Sequence, residues 1–271
     1  MDKFGLLGGK LGHSLSPAIH KLFFKYTDKE GTYELLETEV EKISSRMEEL
    51  RKNFKGANVT IPHKLHVMPF LDGISEEAKA IGAVNTIKFT PEGAFGYNTD
   101  YFGFVRMLEY NKIFAKGKAC AVLGTGGAAR AVVKYLATAA ASKIYLVTRD
   151  VTKDYGDFKK MAPGLEIISY DELEKLSGYC LINCTPLGMF PKIDACPVSQ
   201  EVSANFAVSV DAIYNPAETI FLKQAKLSGK QAVNGLFMLV AQAVAAQELW
   251  QEEKYSSDLI VKIMGDLEQS L

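Results

Sequence analysis

Apolar runs alternate with amphipathic stretches along roughly the first hundred residues of the chain. The runs predict strands, at 4–7, 33–36, 57–60, 84–89 and 94–98. Two helices are predicted by apolar residues at helical spacing, namely Ile19, Leu22, Phe23 and Tyr26 in the first and Val40, Ile43, Met47 and Leu50 in the second. Pro91-Glu92-Gly93 predicts a hairpin between the last two strands, and Pro62 is expected to begin another helix.

Beyond residue 118 the apolar runs become denser, and a helical pattern follows each of them. These runs predict further strands, at 119–123, 144–147, 165–168, 180–183 and 207–211. Strands that are apolar throughout and alternate with helices indicate a parallel sheet covered on both faces. The end of the chain is predicted to be helical again, over 236–250 and along a last stripe of Ile260, Ile263, Met264 and Leu267.

The chain has 271 residues, enough for two small domains, and a formal net charge of −1. This charge gives no reason to expect a nucleic acid or an anionic membrane surface as partner. The longest apolar stretch, 236–246, contains Gln242 and is too short to cross a bilayer. Because the first residues also lack the basic start and long apolar centre of a signal peptide, a cytoplasmic protein is expected.

Cysteine and histidine give little sign of special chemistry. The four cysteines form no CxxC pair, so reduced and buried thiols are expected. The four histidines match no metal-binding motif, so no metal ion is expected.

A glycine turn follows the strand at 119–123 and opens the next helix. Its sequence at 124–129 has the form Gly-x-Gly-x-x-Ala. The first glycine permits a tight turn, the second lets a pyrophosphate approach the backbone, and the small third residue lets helix and strand pack closely. Strand, turn, helix and strand occur in the order of a dinucleotide-binding unit. The predicted contacts to the dinucleotide are Gly124, Thr125, Gly126, Gly127 and Ala128.

The next strand ends at Thr148-Arg149-Asp150, where such units contact the adenosine ribose. Arg149 suits a 2′-phosphate, and Lys153 follows one helical turn later. Asp150 resembles instead the acid that binds the 2′-hydroxyl of NAD. The pattern favours NADP, leaves NAD as the alternative, and leaves open that Arg149 and Lys153 are only a solvated helix start.

Seven polar segments stand beside the apolar strands. They are GGKLGHSLSPAIH (8–20), NVTIPHK (58–64), GAVNT (82–86), GYNTD (96–100), NCTPLGM (183–189), DAIYNP (211–216) and NGLFMLVAQ (234–242). In order and spacing, almost from end to end, they resemble the shikimate dehydrogenase family. The resemblance implies reversible reduction of 3-dehydroshikimate to shikimate with NADPH, a step in the biosynthesis of chorismate and the aromatic amino acids.

The resemblance also implies a substrate site. Ser14 and Ser16 match the serines that hold the substrate carboxylate, although Ser16 before Pro17 is also a predicted helix N-cap. Further matches to residues that contact the carboxylate or ring hydroxyls are Thr60, Asn85, Asp100, Tyr214 and Gln242. Hydroxyl, amide and phenol groups suit a small polyhydroxylated acid, because each can pair with one of its polar groups.

Lys64 and Asp100 match the family's catalytic pair. Hydride transfer to a ketone creates an alkoxide, which an adjacent ammonium stabilises and protonates. In the reverse direction neutral lysine takes the proton, and the carboxylate orients it.

On the cofactor side, Thr185, Leu187 and Met189 resemble the segment that lines the nicotinamide. Ala212 and Gly235 match positions where backbone meets the cofactor, and Glu76 lies where some members approach it. Asn183 is interpreted as a residue that satisfies backbone groups of its own loop.

The sequence therefore predicts a two-domain α/β protein, with an N-terminal α/β substrate domain and a Rossmann-like NADP-binding domain. Residues 1–100 and 235–271 are assigned to the substrate domain and 101–234 to the dinucleotide domain, with the active site in the cleft between them. A small-molecule substrate is the expected partner, with a monomer or homodimer as the assembly. The alternatives are a quinate or shikimate dehydrogenase preferring NAD, and a non-catalytic shikimate-binding paralogue. A folate-type dehydrogenase of similar architecture fits the serine motif less well.

Overall fold

A computed structural model describes residues 1–12 and 14–269 of the chain. The chain forms two compact units, the first made of 1–103 and 240–271 and the second of 104–239.

The described residues contain twelve strands and eleven α-helices. The strands are β1 (Asp2–Gly8), β2 (Gly31–Glu37), β3 (Gly56–Val59), β4 (Gly73–Ile74), β5 (Thr86–Thr90), β6 (Gly93–Tyr97), β7 (Ala119–Leu123), β8 (Lys143–Val147), β9 (Glu166–Ile168), β10 (Gly178–Asn183), β11 (Phe206–Asp211) and β12 (Gln231–Val233). The helices are α1 (Ser16–Thr27), α2 (Ile43–Asn53), α3 (Glu76–Ile81), α4 (Thr99–Tyr110), α5 (Gly127–Thr138), α6 (Gly156–Met161), α7 (Tyr170–Leu173), α8 (Gln200–Ala204), α9 (Ile220–Leu227), α10 (Leu236–Gln251) and α11 (Ser257–Glu268).

The first unit contains a mixed sheet in the order β2-β1-β3-β5-β6-β4. Strand β1 runs parallel to both β2 and β3, whereas β5 is antiparallel to β3 and β6. Residues on one face, such as Leu7, pack in a core with Met47 and Leu50 of α2. On the other face Phe4 packs with Trp250 of α10. The alternation of side chains along β1 therefore lets one strand serve two apolar layers.

The second unit contains a sheet in the order β12-β11-β10-β7-β8-β9, and every pairing in it is parallel. Counted from β7 this is the doubly wound order 3-2-1-4-5-6, whose direction reverses between β7 and β10. In such sheets ligands bind outside the carboxyl ends of the strands at the reversal. The predicted α/β class with a Rossmann-like region is confirmed, and so is the hairpin of β5 and β6.

Three local predictions are wrong. Helix α1 begins at Ser16 itself, Leu15 is its N-cap, and no side chain caps it. Pro62 begins no helix, because the Lys64 carbonyl accepts a hydrogen bond from Val84 N (3.0 Å) instead of from the next turn of its own segment. Val40 lies in a short 3₁₀ turn and is exposed, so the second apolar stripe begins at Ile43.

Candidate active site

Lys64 and Asp100 form an ion pair in the first unit, with 2.5 Å between Nζ and Oδ2. Lys64 lies in the turn segment after β3, and Asp100 lies in the first turn of α4. Their side chains are 22% and 16% exposed, so the pair is partly shielded yet open to a ligand. An ammonium has three N–H donors, and the bond to Asp100 uses one of them.

Two asparagines hold the start of α4 where Asp100 is placed. Asn98 Oδ1 accepts from Tyr101 N (3.2 Å), and Asn85 Oδ1 accepts from Thr99 N (2.6 Å). Both bonds satisfy N–H groups that a helix leaves without a partner at its first turn. Asp100 lies in the first turn of α4, so its carboxylate is close to the positive end of the helix dipole.

A buried polar network extends from this helix start across strands β5, β3 and β2. Asn58 Nδ2 donates to Thr86 Oγ1 (3.0 Å), which also lies 2.8 Å from Thr99 Oγ1. Tyr33 OH donates to Asn58 Oδ1 (2.7 Å), and its ring stacks on His20 with centroids 3.9 Å apart. Burial lowers the pKa of His20 to about 3, so this imidazole is neutral near pH 7.

The network also fixes the orientation of the Asn85 amide. Its Oδ1 is occupied by Thr99 N, Thr99 Oγ1 and Thr86 Oγ1. The Nδ2 group is therefore held as a donor on the other side of the amide. This arrangement suits a ligand that presents a hydroxyl or carboxylate oxygen.

The predicted carboxylate residues lie near the carboxyl ends of β1 and β3. Ser14 Oγ accepts from Ser16 N (3.3 Å), and Glu37 Oε1 holds the same loop by accepting from Leu11 N (2.8 Å). Thr60 N donates to Leu7 O (2.9 Å). A Cβ on Gly8 would come within 2.6 Å of the Thr60 methyl group, so glycine is needed there. His13, in the same motif, lies outside the described residues.

Two other predicted residues of the first unit lie on helices. Gln242 is half-buried on α10. Glu76 opens α3 and pairs with Lys79 at 2.8 Å, with its side chain 90% exposed.

In the second unit the glycine turn joins β7 to α5. Gly124 has φ +95°, a conformation that side chains with a Cβ rarely adopt, and a Cβ there would lie 3.0 Å from Thr185 Cγ2. Gly126 differs, because its φ of −81° suits any residue and a Cβ would meet no protein atom within 4 Å. Neither backbone strain nor packing explains that glycine, whereas a closely approaching ligand does.

The same turn leaves the first N–H groups of α5 available. Gly126 is the N-cap and has no side chain that could bond them. Thr125 and Ala128 are half-buried and Gly127 is exposed, while Ala129 is the first buried residue of the helix. Free amides and the positive end of a twelve-residue helix form an anion site suited to a pyrophosphate.

Asp150 is engaged within its own turn after β8. Its Oδ1 accepts from Thr152 N (3.1 Å) and Thr152 Oγ1 (2.6 Å), and Oδ2 lies 3.9 Å from Lys153 Nζ. These contacts, led by the hydrogen bond from Thr152, lower the pKa of Asp150. Arg149 beside it is exposed, while Thr148 is buried and bonded to Tyr155 OH (2.9 Å). The local carboxylate is thus partly neutralised, and the Arg149 guanidinium is accessible.

The loop after β10 is shaped by Asn183. Its Oδ1 accepts from Thr185 N (3.0 Å) and Thr185 Oγ1 (2.7 Å), which confirms the interpretation that it satisfies its own loop. Leu187 and Met189 are 39% and 45% exposed on this loop, so they present apolar surface to solvent.

Ala212 and Gly235 come together through their backbones. A Cβ on Gly235 would lie 2.2 Å from Ala212 O, so this glycine is required by the protein itself. Tyr214 is half-buried nearby in sequence, and burial raises the pKa of its phenol.

Sequence reasoning missed Asp211 and Thr219. Asp211 is fully buried at the end of β11, directly opposite Asn183 in the strand register. Its Oδ2 accepts from Thr219 Oγ1 (2.6 Å), and Thr219 in turn caps α9. The sequence did offer a signal, because Asp211 is an acidic residue at the end of an apolar strand and opens the segment DAIYNP. No role was assigned to it there.

The free thiols are Cys120, Cys180, Cys184 and Cys196. Within 1–12 and 14–269, no group of three or more His, Cys, Asp or Glu side chains is arranged to hold a metal ion. None of the helices described for this chain is long and apolar enough to span a membrane.

Comparison with known proteins places this geometry in a family. The family model described as the shikimate dehydrogenase substrate binding domain matches residues 6–87. A shikimate dehydrogenase (NADP(+)) of Clostridium perfringens is 50% identical over 252 residues, which cover 92% of each chain.

Solved structures agree over the whole chain. A chorismate mutase/shikimate 5-dehydrogenase fusion protein from Clostridium acetobutylicum is 47% identical with a TM-score of 0.95, covering 100% of this chain and 98% of that one. The shikimate 5-dehydrogenase of Thermus thermophilus, in complex with NADP(H) and shikimate, is 32% identical with a TM-score of 0.88, covering 98% and 99%. The resemblance carried by the seven motifs is confirmed, and the chain belongs to the shikimate dehydrogenase family.

Proposed function

We propose that the protein is an NADP-dependent oxidoreductase that interconverts 3-dehydroshikimate and shikimate. The observation that carries the proposal is the Lys64–Asp100 pair, 2.5 Å apart and partly shielded, with the Asn85 amide bonded to Thr99, the residue before Asp100. Membership of the family indicates the substrate. The ion pair provides the proton donor that reduction of a ketone needs.

Lys64 is proposed as the proton donor for reduction. The ammonium keeps two N–H donors beyond its bond to Asp100, and one of them can reach the oxygen of a bound ketone. As negative charge develops on that oxygen, the ammonium stabilises it and transfers the proton. In shikimate oxidation the neutral amine accepts the proton from the hydroxyl. Asp100 orients Lys64 and accepts a hydrogen bond from a neighbouring ring hydroxyl.

The other site residues are proposed to recognise the acid. Ser14 and Ser16 would donate to the carboxylate. Ser16 caps no helix, and its hydroxyl hydrogen-bonds Tyr33. The residues proposed to bind the remaining oxygens are Thr60, Asn85, Tyr214 and Gln242. The Asn85 amide is already oriented with its donor side available. A missing substrate hydroxyl would leave such a group unpaired, which gives specificity.

The second unit fits a dinucleotide. When bound, NADPH supplies the hydride. Gly124, Gly126 and the free amides of α5 would hold its pyrophosphate, because the backbone at Gly126 is open to close approach. The half of the sheet that begins with β10 would take the nicotinamide, beside Thr185, Leu187 and Met189. Ala212 and Gly235 form the neighbouring backbone surface.

NADP is preferred over NAD in this proposal. Arg149 is exposed and can pair with a 2′-phosphate, with Lys153 beside it. Asp150 is held by Thr152 and lies near Lys153, which reduces the repulsion that a carboxylate would exert on a phosphate. Relatives such as that of Clostridium perfringens carry NADP(+) in their names.

We further propose that residues 1–100 and 235–271 bind substrate and that 101–234 bind the dinucleotide. A cytoplasmic location and a monomeric or homodimeric state are proposed with them. Size-exclusion chromatography with light scattering measures the assembly directly.

Absorbance at the NADPH band tests the function. Purified protein is mixed with shikimate and either NADP⁺ or NAD⁺, for the wild type, Lys64→Ala and Lys88→Ala. Lys88 forms a matched pair with Glu252, also 2.5 Å long and with the lysine 16% exposed, in the same unit. We expect turnover with NADP⁺, a loss of about 100-fold or more in Lys64→Ala, and little change in Lys88→Ala.

Each other outcome points to a different protein. Faster turnover with NAD⁺, or with quinate as substrate, would identify the NAD-preferring quinate or shikimate dehydrogenase. Folded protein that binds shikimate but turns over neither cofactor would be the non-catalytic paralogue. Equal losses in both lysine variants would show that Lys64 acts through stability and not through proton transfer.

A further inference from the structure

Asp211 is a buried carboxylate that has no role in the proposed hydride and proton transfer. It is fully buried at the carboxyl end of β11. Oδ1 accepts from Asn183 Nδ2 (3.0 Å) and Ile213 N (3.0 Å), and Oδ2 accepts from Thr219 Oγ1 (2.6 Å). All three donors are neutral, so no cation offsets the cost of burying this charge. An ionised carboxylate has two oxygens and can accept hydrogen bonds from several donors at once. This capacity to gather donors is the property of Asp211 that the fold uses.

The three donors belong to two different loops. Asn183 ends β10, and its amide oxygen holds Thr185 through both N and Oγ1. Thr185 Oγ1 accepts from Leu187 N (3.3 Å), so the chain of hydrogen bonds that begins at Asp211 continues along the loop to Leu187. On the other side, Ile213 and Thr219 bracket the segment that contains Tyr214.

Further contacts lock the two loops to each other. Ala212 N donates to Asn183 O (2.9 Å), and Phe190 N donates to Asn215 O (3.1 Å). Gly188 has φ +96°, and a Cβ there would lie 3.5 Å from Thr219 Cβ. The carboxylate of Asp211 is thus the shared centre of a hydrogen-bonded platform, defined here as residues 183–188 and 211–219.

We propose that Asp211 is a positioning residue that holds this platform in the shape needed to seat the nicotinamide ring. The proposal rests on the proposed function, because it concerns the nicotinamide end of the same dinucleotide site. In a doubly wound sheet the half containing β10 and β11 serves one mononucleotide, and the half containing β7 and β8 serves the other. Asp211 therefore acts on one end of the cofactor and leaves the 2′-phosphoadenosine end unaffected.

A pH response follows from the same geometry. Burial raises the pKa of Asp211 to about 6, despite hydrogen bonds that act in the opposite direction. The titratable groups that face it are the thiols of Cys184 and Cys196, whose own pKa values burial raises, so both stay neutral near pH 6. Protonation places an O–H where Asn183 or Thr219 donates, so the hydrogen bonds that shape the platform change as the pH falls through about 6.

Calorimetric titration with two ligands separates the ends of the cofactor. NADP⁺ contacts both ends, whereas adenosine 2′,5′-bisphosphate contacts the adenosine end alone. In Asp211→Ala we expect the Kd for NADP⁺ to rise about tenfold or more and the Kd for the bisphosphate to stay within about twofold. Ser209→Ala, which removes a buried hydroxyl from the same strand, should change neither.

The pH series uses Asp211→Asn, which keeps the shape of the side chain and removes its titration. A phosphate monoester itself titrates near about pH 6, so the bisphosphate also serves as the reference at each pH. The ratio of the two dissociation constants, NADP⁺ over bisphosphate, should rise below about pH 6 in the wild type and stay flat in Asp211→Asn.

Two results would overturn the proposal. Equal weakening of both ligands in Asp211→Ala would assign Asp211 to general support of the fold, and an unchanged ratio in both experiments would remove its role at the nicotinamide. Wild-type protein that binds neither ligand would instead defeat the proposed function itself, which the shikimate assay tests independently.

Discussion

The two units each place a buried polar network beneath loops at the carboxyl ends of strands, but the networks differ in charge. In the first unit the network of His20, Tyr33, Asn58 and Thr86 reaches the start of α4 through neutral groups alone. In the second unit the network converges on the carboxylate of Asp211. The first network positions the start of a helix and the second positions two loops, and only the second contains an ion.

The difference teaches that burial shifts the two ionisable groups in opposite directions. Burial disfavours the charged form, so it lowers the pKa of His20 to about 3 and raises that of Asp211 to about 6. Through these two groups, acid therefore removes stability at His20 in the first unit and adds stability at Asp211 in the second. Three measurements sharpen or break this contrast.

The largest effect is expected at His20. Its pKa falls from 6.5 in the unfolded chain to about 3 in the fold, so only the unfolded chain takes a proton between these values. The stability that neutral His20 contributes is fully present above pH 6.5 and is lost as the pH falls, about 3 kcal/mol by pH 4. Urea unfolding followed by the fluorescence of the single tryptophan, Trp250, reports on this unit.

His20→Phe is the matched variant, because a phenyl ring keeps the stack on Tyr33 and does not titrate. The acid-dependent loss should shrink by about 3 kcal/mol in this variant. If wild type and variant lose stability in parallel, the imidazole is not the titrating group.

The second effect has the opposite sign. The pKa of Asp211 rises from 3.8 in the unfolded chain to about 6, so the folded second unit holds a proton that the unfolded chain has released. Stability due to this group should increase by about 2 kcal/mol between pH 7 and pH 4. Hydrogen exchange of the amides of β10 and β11 measures it, as the difference between wild type and Asp211→Asn. A difference that does not change with pH would contradict the raised pKa.

The smallest effect concerns Asn85, whose amide has one face in the network and one face proposed for substrate. Asn85→Ala removes the acceptor for Thr99 N and should cost about 1–2 kcal/mol of stability. Asn85→Asp keeps that acceptor but replaces the donor, so stability should stay within about 1 kcal/mol while KM for shikimate rises about tenfold or more. Thermal unfolding and initial rates on the same samples separate the two roles. Equal loss of stability in both variants would remove the capping role.

Much of the fold could be predicted because its elements follow local patterns. Strand β7 was predicted with its observed ends, and the turn at 91–93 identified the hairpin of β5 and β6. The predictions that failed concern segments whose structure is determined by contacts with residues distant in sequence. At Pro62 the carbonyl of Lys64 bonds to Val84, a partner twenty residues away that no local pattern reveals.

The site divides in the same way. The motifs that contain Lys64 and Asp100 lie far apart in sequence, and the resemblance to a family was needed to bring them together, whereas the structure gives their distance. The role proposed for Asp211 could not be predicted, because it depends on the register of β10 and β11, which places Asp211 opposite Asn183. Ser16 was ambiguous between capping and binding until the start of α1 was known.

Two glycines of the second unit, Gly126 and Gly235, have different consequences for anyone who engineers this enzyme. At Gly235 any side chain collides with Ala212 O, so a substitution there is detected as misfolded protein. At Gly126 the space is empty and the backbone is ordinary, so a methyl group there leaves the fold untouched. A screen that ranks variants by heat resistance or by yield of soluble protein would accept changes at Gly126 without any warning. Directed evolution of this chain for robustness therefore needs a cofactor-dependent selection at every round.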